Sequence, residues 1–172
     1  MSATDLSSRT SGKTAAPQGR ESGGIHESTL LASARTLIEE RRWDAALNLL
    51  DRMRELDGDT PEILGLVAVA AAHARRRSVR DEALAKLTAG APDGRGWESI
   101  ASSHLANAEF AEADRAARQA LVADEESPAA WGALASSFAG LGWFDEAEEC
   151  LASARRHGGL DPFARWQLGR AI

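Results

Sequence analysis

The chain has 172 residues, 44% of them apolar, which suits one domain with a sizeable core. Its net charge of −6 argues against nucleic acid as the main partner, and its single Cys excludes an internal disulfide and fits a reducing, cytoplasmic compartment. No run of 18 apolar residues and no apolar N-terminal stretch occurs, so neither a membrane span nor a signal peptide is expected.

Residues 1–26 are rich in Ser, Thr, Gly and Pro, and Leu6 and Ile25 are almost their only large aliphatics. Ordering a backbone costs about 1–2 kcal/mol per residue, and this segment has too little apolar surface to offset it. It is expected to be disordered; the alternative is a tail that folds onto a partner or into the protein's own groove. Order is expected from about residue 27, where Ser28 and Thr29 can cap a first helix. Leu30, Ala34, Leu37 and Ile38 then share one helical face. A second helix opens at Trp43-Asp44-Ala45-Ala46 and carries Leu47, Leu50 and Met53. Gly58 and Pro61 suit the exit of that helix and the entry of the next.

The segment 61–93 begins with an almost wholly apolar helix from Ile63 to Ala72, expected to be buried on most sides. Two registers compete in its second helix. Strict counting puts Arg80 in the slot of Ala46, whereas Asp81-Glu82-Ala83 imitates Asp145-Glu146-Ala147 and would put Ala83 there, with a shortened helix. The chain then reads twice as one pattern, over 94–127 and 128–161. Trp97/Trp131, Ile100/Leu134, Ala101/Ala135, Phe110/Phe144, Ala113/Ala147 and Ala120/Ala154 are each 34 residues apart. Such a period is the mark of stacked helical repeats. Segment 27–60 shares the slots of Phe110 and Ala113 through Trp43 and Ala46. Residues 162–172, with Phe163, Trp166 and Leu168, are read as a helix capping the last unit, the alternative being the stump of a truncated array.

The pattern Trp-x2-Leu-Ala, with an aromatic residue at +13 and Ala at +16 and +23, resembles the tetratricopeptide repeat (TPR). Ala101 and Ala135 stand where that family usually has Gly, and His104 and Phe138 where it has Tyr. The resemblance covers roughly 27–172 and is tightest over 94–161. It implies an all-α fold: a right-handed superhelical stack of antiparallel helix pairs, with units at 27–60, 61–93, 94–127 and 128–161. It also implies that the first helix of each pair lines a concave, partner-binding groove.

Carried onto this chain, the family's groove positions give Arg35, Glu62, Val69, His73, Arg95, Glu98, Ser102, Leu105 and Ser136, with Trp166 and Arg170 from the cap. Neither Lys nor Asn stands at these positions, so the carboxylate clamp of TPR proteins that grip acidic chaperone tails is not expected. Gly65, Ala72, Ala106, Gly132, Ala139 and Gly140 also fall on groove positions, and small residues leave room for bulk from a helical or extended peptide.

The remaining features have plain readings. His26, His73, His104 and His157 lack metal-ligand spacing, so no metal is expected, and His104 reads as a packed ring. Cys150 reads as a half-buried core thiol. Arg75-Arg76-Arg77 with Arg80 reads as a solvated turn, although it could meet Asp124-Glu125-Glu126 or Asp145-Glu146/Glu148-Glu149 on another copy. No nucleophile arrangement or phosphate-cradling loop stands out, so neither catalysis nor a cofactor is expected. Arg outnumbers Lys 18 to 2, a bias of GC-rich, bacterial genomes. The expected role is an adaptor, scaffold or chaperone-like module that binds another protein, with no nucleic acid and no membrane involved. The alternatives are a self-assembling structural protein, as a homo-oligomer, and an accessory subunit of an enzyme or secretion complex.

Overall fold

The computed structural model describes residues 21–159, with side chains from Thr29 onward. Residues 1–20 and the expected cap helix, with Trp166 and Arg170, lie outside the described residues. Eight helices and no strand occur among the described residues. They alternate as first and second members of four pairs: α1 (Glu21–Glu39) with α2 (Trp43–Asp57), α3 (Pro61–His73) with α4 (Arg77–Ala89), α5 (Gly94–Ala106) with α6 (Phe110–Ala123), and α7 (Pro128–Leu141) with α8 (Phe144–Arg156). None of these helices is long and apolar enough to cross a membrane.

The first helix starts at Glu21, not at a Ser28 or Thr29 cap. Its buried face, Leu31, Ala34 and Ile38, provides a nucleus, and propagation from a nucleus fixes few further dihedrals per hydrogen bond. The first helices of the other three pairs begin on side-chain caps. Thr60 accepts from Ile63 N, Asp93 from Gly96 N and Ser127 from Ala130 N, at 3.3, 2.8 and 3.1 Å. Pro61 and Pro128 follow two of these caps, where no amide proton is needed.

The turns inside the pairs share a different device. Arg41, Arg75, Ala108 and Gly142 have φ of 60, 60, 59 and 85°, at intervals of 34, 33 and 34 residues. After each, a backbone N–H returns to the carbonyl five residues earlier: Arg42 to Leu37, Arg76 to Ala71, Glu109 to His104 and Trp143 to Phe138. This is the Schellman closure of a helix, for which Gly is the favoured residue. Three of the four turns use an L-residue with a side chain. The left-handed conformation costs such a residue roughly 1–2 kcal/mol, partly offset by the greater freedom that Gly has when unfolded. Ala108→Gly is therefore expected to raise stability by about 0.5–1 kcal/mol, read as a shift in the urea midpoint.

These turns settle the register of the second pair. Ala46, Ala113 and Ala147 each lie five residues after the left-handed residue, and so does Arg80. Helix α4 has its full 13 residues, so the shorter alternative, with Ala83 in the slot, does not hold.

The joints between pairs are of two kinds. Two residues after the left-handed position stand Trp43, Arg77, Phe110 and Phe144. Trp43 stacks on His73 of the next pair, rings 4.3 Å apart and 19° from parallel. Phe110 lies over Gly140 of the next pair, so closely that a Cβ there would sit 2.3 Å from a ring carbon. Arg77 offers no ring, and α4 accordingly has little contact with α5. There α3 packs directly on α5, Gly65 against Ser99, and Ser103 Oγ donates to Ala68 O at 3.2 Å. Arg80, expected in a solvated turn, is buried within α4, and its guanidinium reaches across the same joint to Glu109, at 3.0 and 3.1 Å. Glu109 in turn meets His104 Nδ1 at 2.6 Å. His104, expected as a packed ring, is half-buried and hydrogen-bonded to Glu109.

On the second-helix side, Asp59 accepts from Arg54 of α2 at 2.6 Å and from Lys86 of α4 at 2.7 Å. The hydrogen bonds from Arg54 and then Lys86 hold its carboxyl down at about 2. With the folded value below the ordinary Asp value of about 3.9, this stabilisation is whole above that pH and is lost as pH falls toward the folded value. Asp59→Asn is therefore expected to show a smaller loss of urea midpoint on acidification through this range than the parent protein.

Candidate functional site

Where α1, α3 and α5 lie side by side, the start of α3 and the start of α5 leave a cleft of about 680 Å³. Arg35, Thr60, Pro61, Glu62, Leu66, Asp93, Arg95, Gly96, Glu98 and Ser99 line it. Of the positions carried over from the repeat pattern, Arg35, Glu62, Arg95 and Glu98 converge here. Their charges are not equally available. Arg35 is ion-paired with Glu62, which joins α1 to α3. Glu98 accepts from the hydroxyl of Ser127, the residue that caps α7. Arg95 is exposed and makes no ion pair among the described residues. The half-buried Leu66 supplies an apolar wall beside it. The cleft thus offers one uncommitted guanidinium, an apolar contact and the Ser99 hydroxyl.

The other carried-over positions lie elsewhere. Val69 and Leu105 are buried in the core. His73 is under Trp43. Ser136 is buried and donates to Gly132 O at 2.9 Å, and Ser102 is half-buried outside the cleft lining. The small residues expected to leave room for a partner mostly admit a neighbouring helix instead: Gly65 faces Ser99, Gly140 faces Phe110, and Ala72, Ala106, Gly132 and Ala139 are buried. Leu66 and Ser99 were absent from the sequence-based groove. Both sit one residue beyond an expected position.

Two further features lie apart from the cleft. Cys150 is buried, and its burial pushes the thiol up to about 11. It sits beside Leu121, Val122, Trp131, Leu134 and Phe138 around an apolar hollow of about 450 Å³ between α6, α7 and α8. No group of three or more His, Cys, Asp or Glu side chains among the described residues could hold a metal ion.

No family model and no curated protein matches the sequence. Solved structures do match the fold. TTC0263, a thermophilic TPR protein of Thermus thermophilus, is similar at a TM-score of 0.70 and 21% identity, over 84% of this chain and 80% of that one. The APC/C hetero-tetramer Cut9-Hcn1 contains a chain similar at a TM-score of 0.66 and 22% identity, over 86% of this chain and 29% of that one. This chain therefore spans less than a third of the second protein's length.

Proposed function

We propose, for a chain that has the tetratricopeptide-repeat fold, that the cleft between α1, α3 and α5 captures a short segment of another protein. A protein-interaction module is the general role of this fold; the finer reading rests on Arg95 and Leu66 standing together at the cleft wall. A volume near 680 Å³ is in the range of sites that bury a small ligand, so it receives a few side chains rather than a whole helix. The segment is extended, with an apolar side chain against Leu66 and a carboxylate against Arg95. This makes the protein an adaptor or scaffold.

The test is selection from a displayed peptide library on the immobilised protein, followed by titration of the selected peptides. Arg95→Glu and Leu66→Arg are each expected to weaken binding at least about tenfold, the loss of one good contact. Peptides that bind both variants as well as they bind the parent would remove the cleft from consideration.

A further inference from the structure

Among the described residues, the last pair, α7 and α8, exposes an apolar cluster. Leu141, Trp143 and Phe144 are 39, 52 and 59% exposed. Phe144 occupies the slot in which Trp43 and Phe110 are each covered by the following pair. Because each of these rings lies against the C-terminal end of the next first helix, all four inner turns stand along one edge of the molecule. The second and fourth turns of that edge differ in charge. The second turn carries Arg75, Arg76 and Arg77, all exposed. Arg76 pairs with Asp44 at 2.7 Å, Arg77 reaches Asp81 only at 3.9 Å, and Arg75 makes no ion pair among the described residues. The fourth turn carries Trp143 and Phe144 and runs into Asp145 and Glu146, whereas the basic residues of α8, Arg155 and Arg156, lie at its far end.

We propose that this edge is a self-association surface on which two copies pair antiparallel about a two-fold axis. The second turn of one copy meets the fourth turn of the other, twice over, and the third turn, with the small Ala108, lies at the axis. A two-fold pairing needs one self-complementary surface, and a stretch of edge that is basic at the second turn and acidic and aromatic at the fourth is such a surface. Arg75 and Arg77 gain both the Asp145 and Glu146 carboxylates and the faces of Trp143 and Phe144. At each end of the pairing the aromatic pair supplies an apolar contact of the kind that contributes strongly to interface energies. The proposal is independent of the cleft, which lies on the opposite side of the helices' length, where α3 and α5 begin.

Sedimentation velocity of the full chain over a wide concentration range tests it. The expected result is a reversible monomer–dimer equilibrium that weakens with added salt. Phe144→Ser is expected to raise the dissociation constant at least about tenfold. The doubly substituted chains Arg75→Glu/Arg77→Glu and Asp145→Arg/Glu146→Arg are each expected to be monomeric and folded by circular dichroism, and their mixture is expected to form a heterodimer. That rescue is beyond the reach of variants that simply misfold. A monomer at every concentration overturns the proposal. Masses that grow beyond a dimer overturn the two-fold geometry, and two variants that fail to pair when mixed overturn the charge match.

Discussion

Glu109→Ala is expected to lower the unfolding free energy by about 2–4 kcal/mol, the largest effect of any single truncation considered for this chain. Arg80 stands in a slot that is Ala in the other three pairs, and its side chain is only 7% exposed. It is accommodated because Glu109 accepts two hydrogen bonds from it across the joint, while Asp81 takes a third from Nε at 2.9 Å. Removing Glu109 leaves a sheltered guanidinium with one exposed partner and releases His104 as well. The figure sits below the full value for a buried pair because Glu109 is 28% exposed. Replacing both partners by apolar residues, Arg80→Leu/Glu109→Leu, is expected to recover most of the loss, because the main cost lies in stranding one charge.

The pH dependence provides an independent check. Burial alone would raise the Glu109 carboxyl, but the hydrogen bonds from His104 and Arg80 outweigh it and hold the group below the ordinary Glu range. Its contribution is then present at neutral pH and disappears as pH falls through the lowered value. The difference between parent and Glu109→Ala, measured by urea denaturation, is expected to shrink on acidification. A difference under about 1 kcal/mol at neutral pH would mean that the joint does not depend on this network.

Gly140→Val is expected to cost about 2–3 kcal/mol, although Val has the better intrinsic helix propensity. The reason is the Phe110 ring, which occupies the space a Cβ would take. An aromatic ring wedged between α6 and α7 has no flexible end to yield. The joint must open instead, or the ring must leave its rotamer. Trimming Phe110 to Ala in the same chain is expected to relieve the strain. The double variant should then lose clearly less than the sum of the two single losses. Additive losses would show that the ring and the glycine do not share one contact.

Much of the fold could be read from the residues, and the reason is periodicity. Trp97/Trp131, Phe110/Phe144 and Ala113/Ala147 recur because each unit must present the same face to its neighbour, and the helical stack follows from that. The register at Arg80 was not readable, because the partner that makes a buried Arg tolerable stands 29 residues later in the chain. The small residues misled for a different reason. A Gly or Ala on a helix can leave room for a ligand or admit a neighbouring helix, and spacing alone does not separate the two uses. Gly65 and Gly140 admit helices. Within the cleft, Arg35, Glu62, Arg95 and Glu98 followed from repeat position, whereas Leu66 and Ser99 stand one residue past such positions and enter the lining through the packing of α3 on α5.

The most direct test of the binding role is a nuclear magnetic resonance titration of isotopically labelled protein with a selected peptide. The account predicts that the amide signals of Glu62, Leu66, Arg95, Gly96 and Ser99 shift together along one saturating curve. The indole proton of Trp131, held by Glu125 O at 2.8 Å beside the apolar hollow on the far pair, should stay in place. Shifts centred on Trp131, Val122 and Phe138, with the cleft residues unmoved, would contradict it and move the binding site to the hollow between α6, α7 and α8.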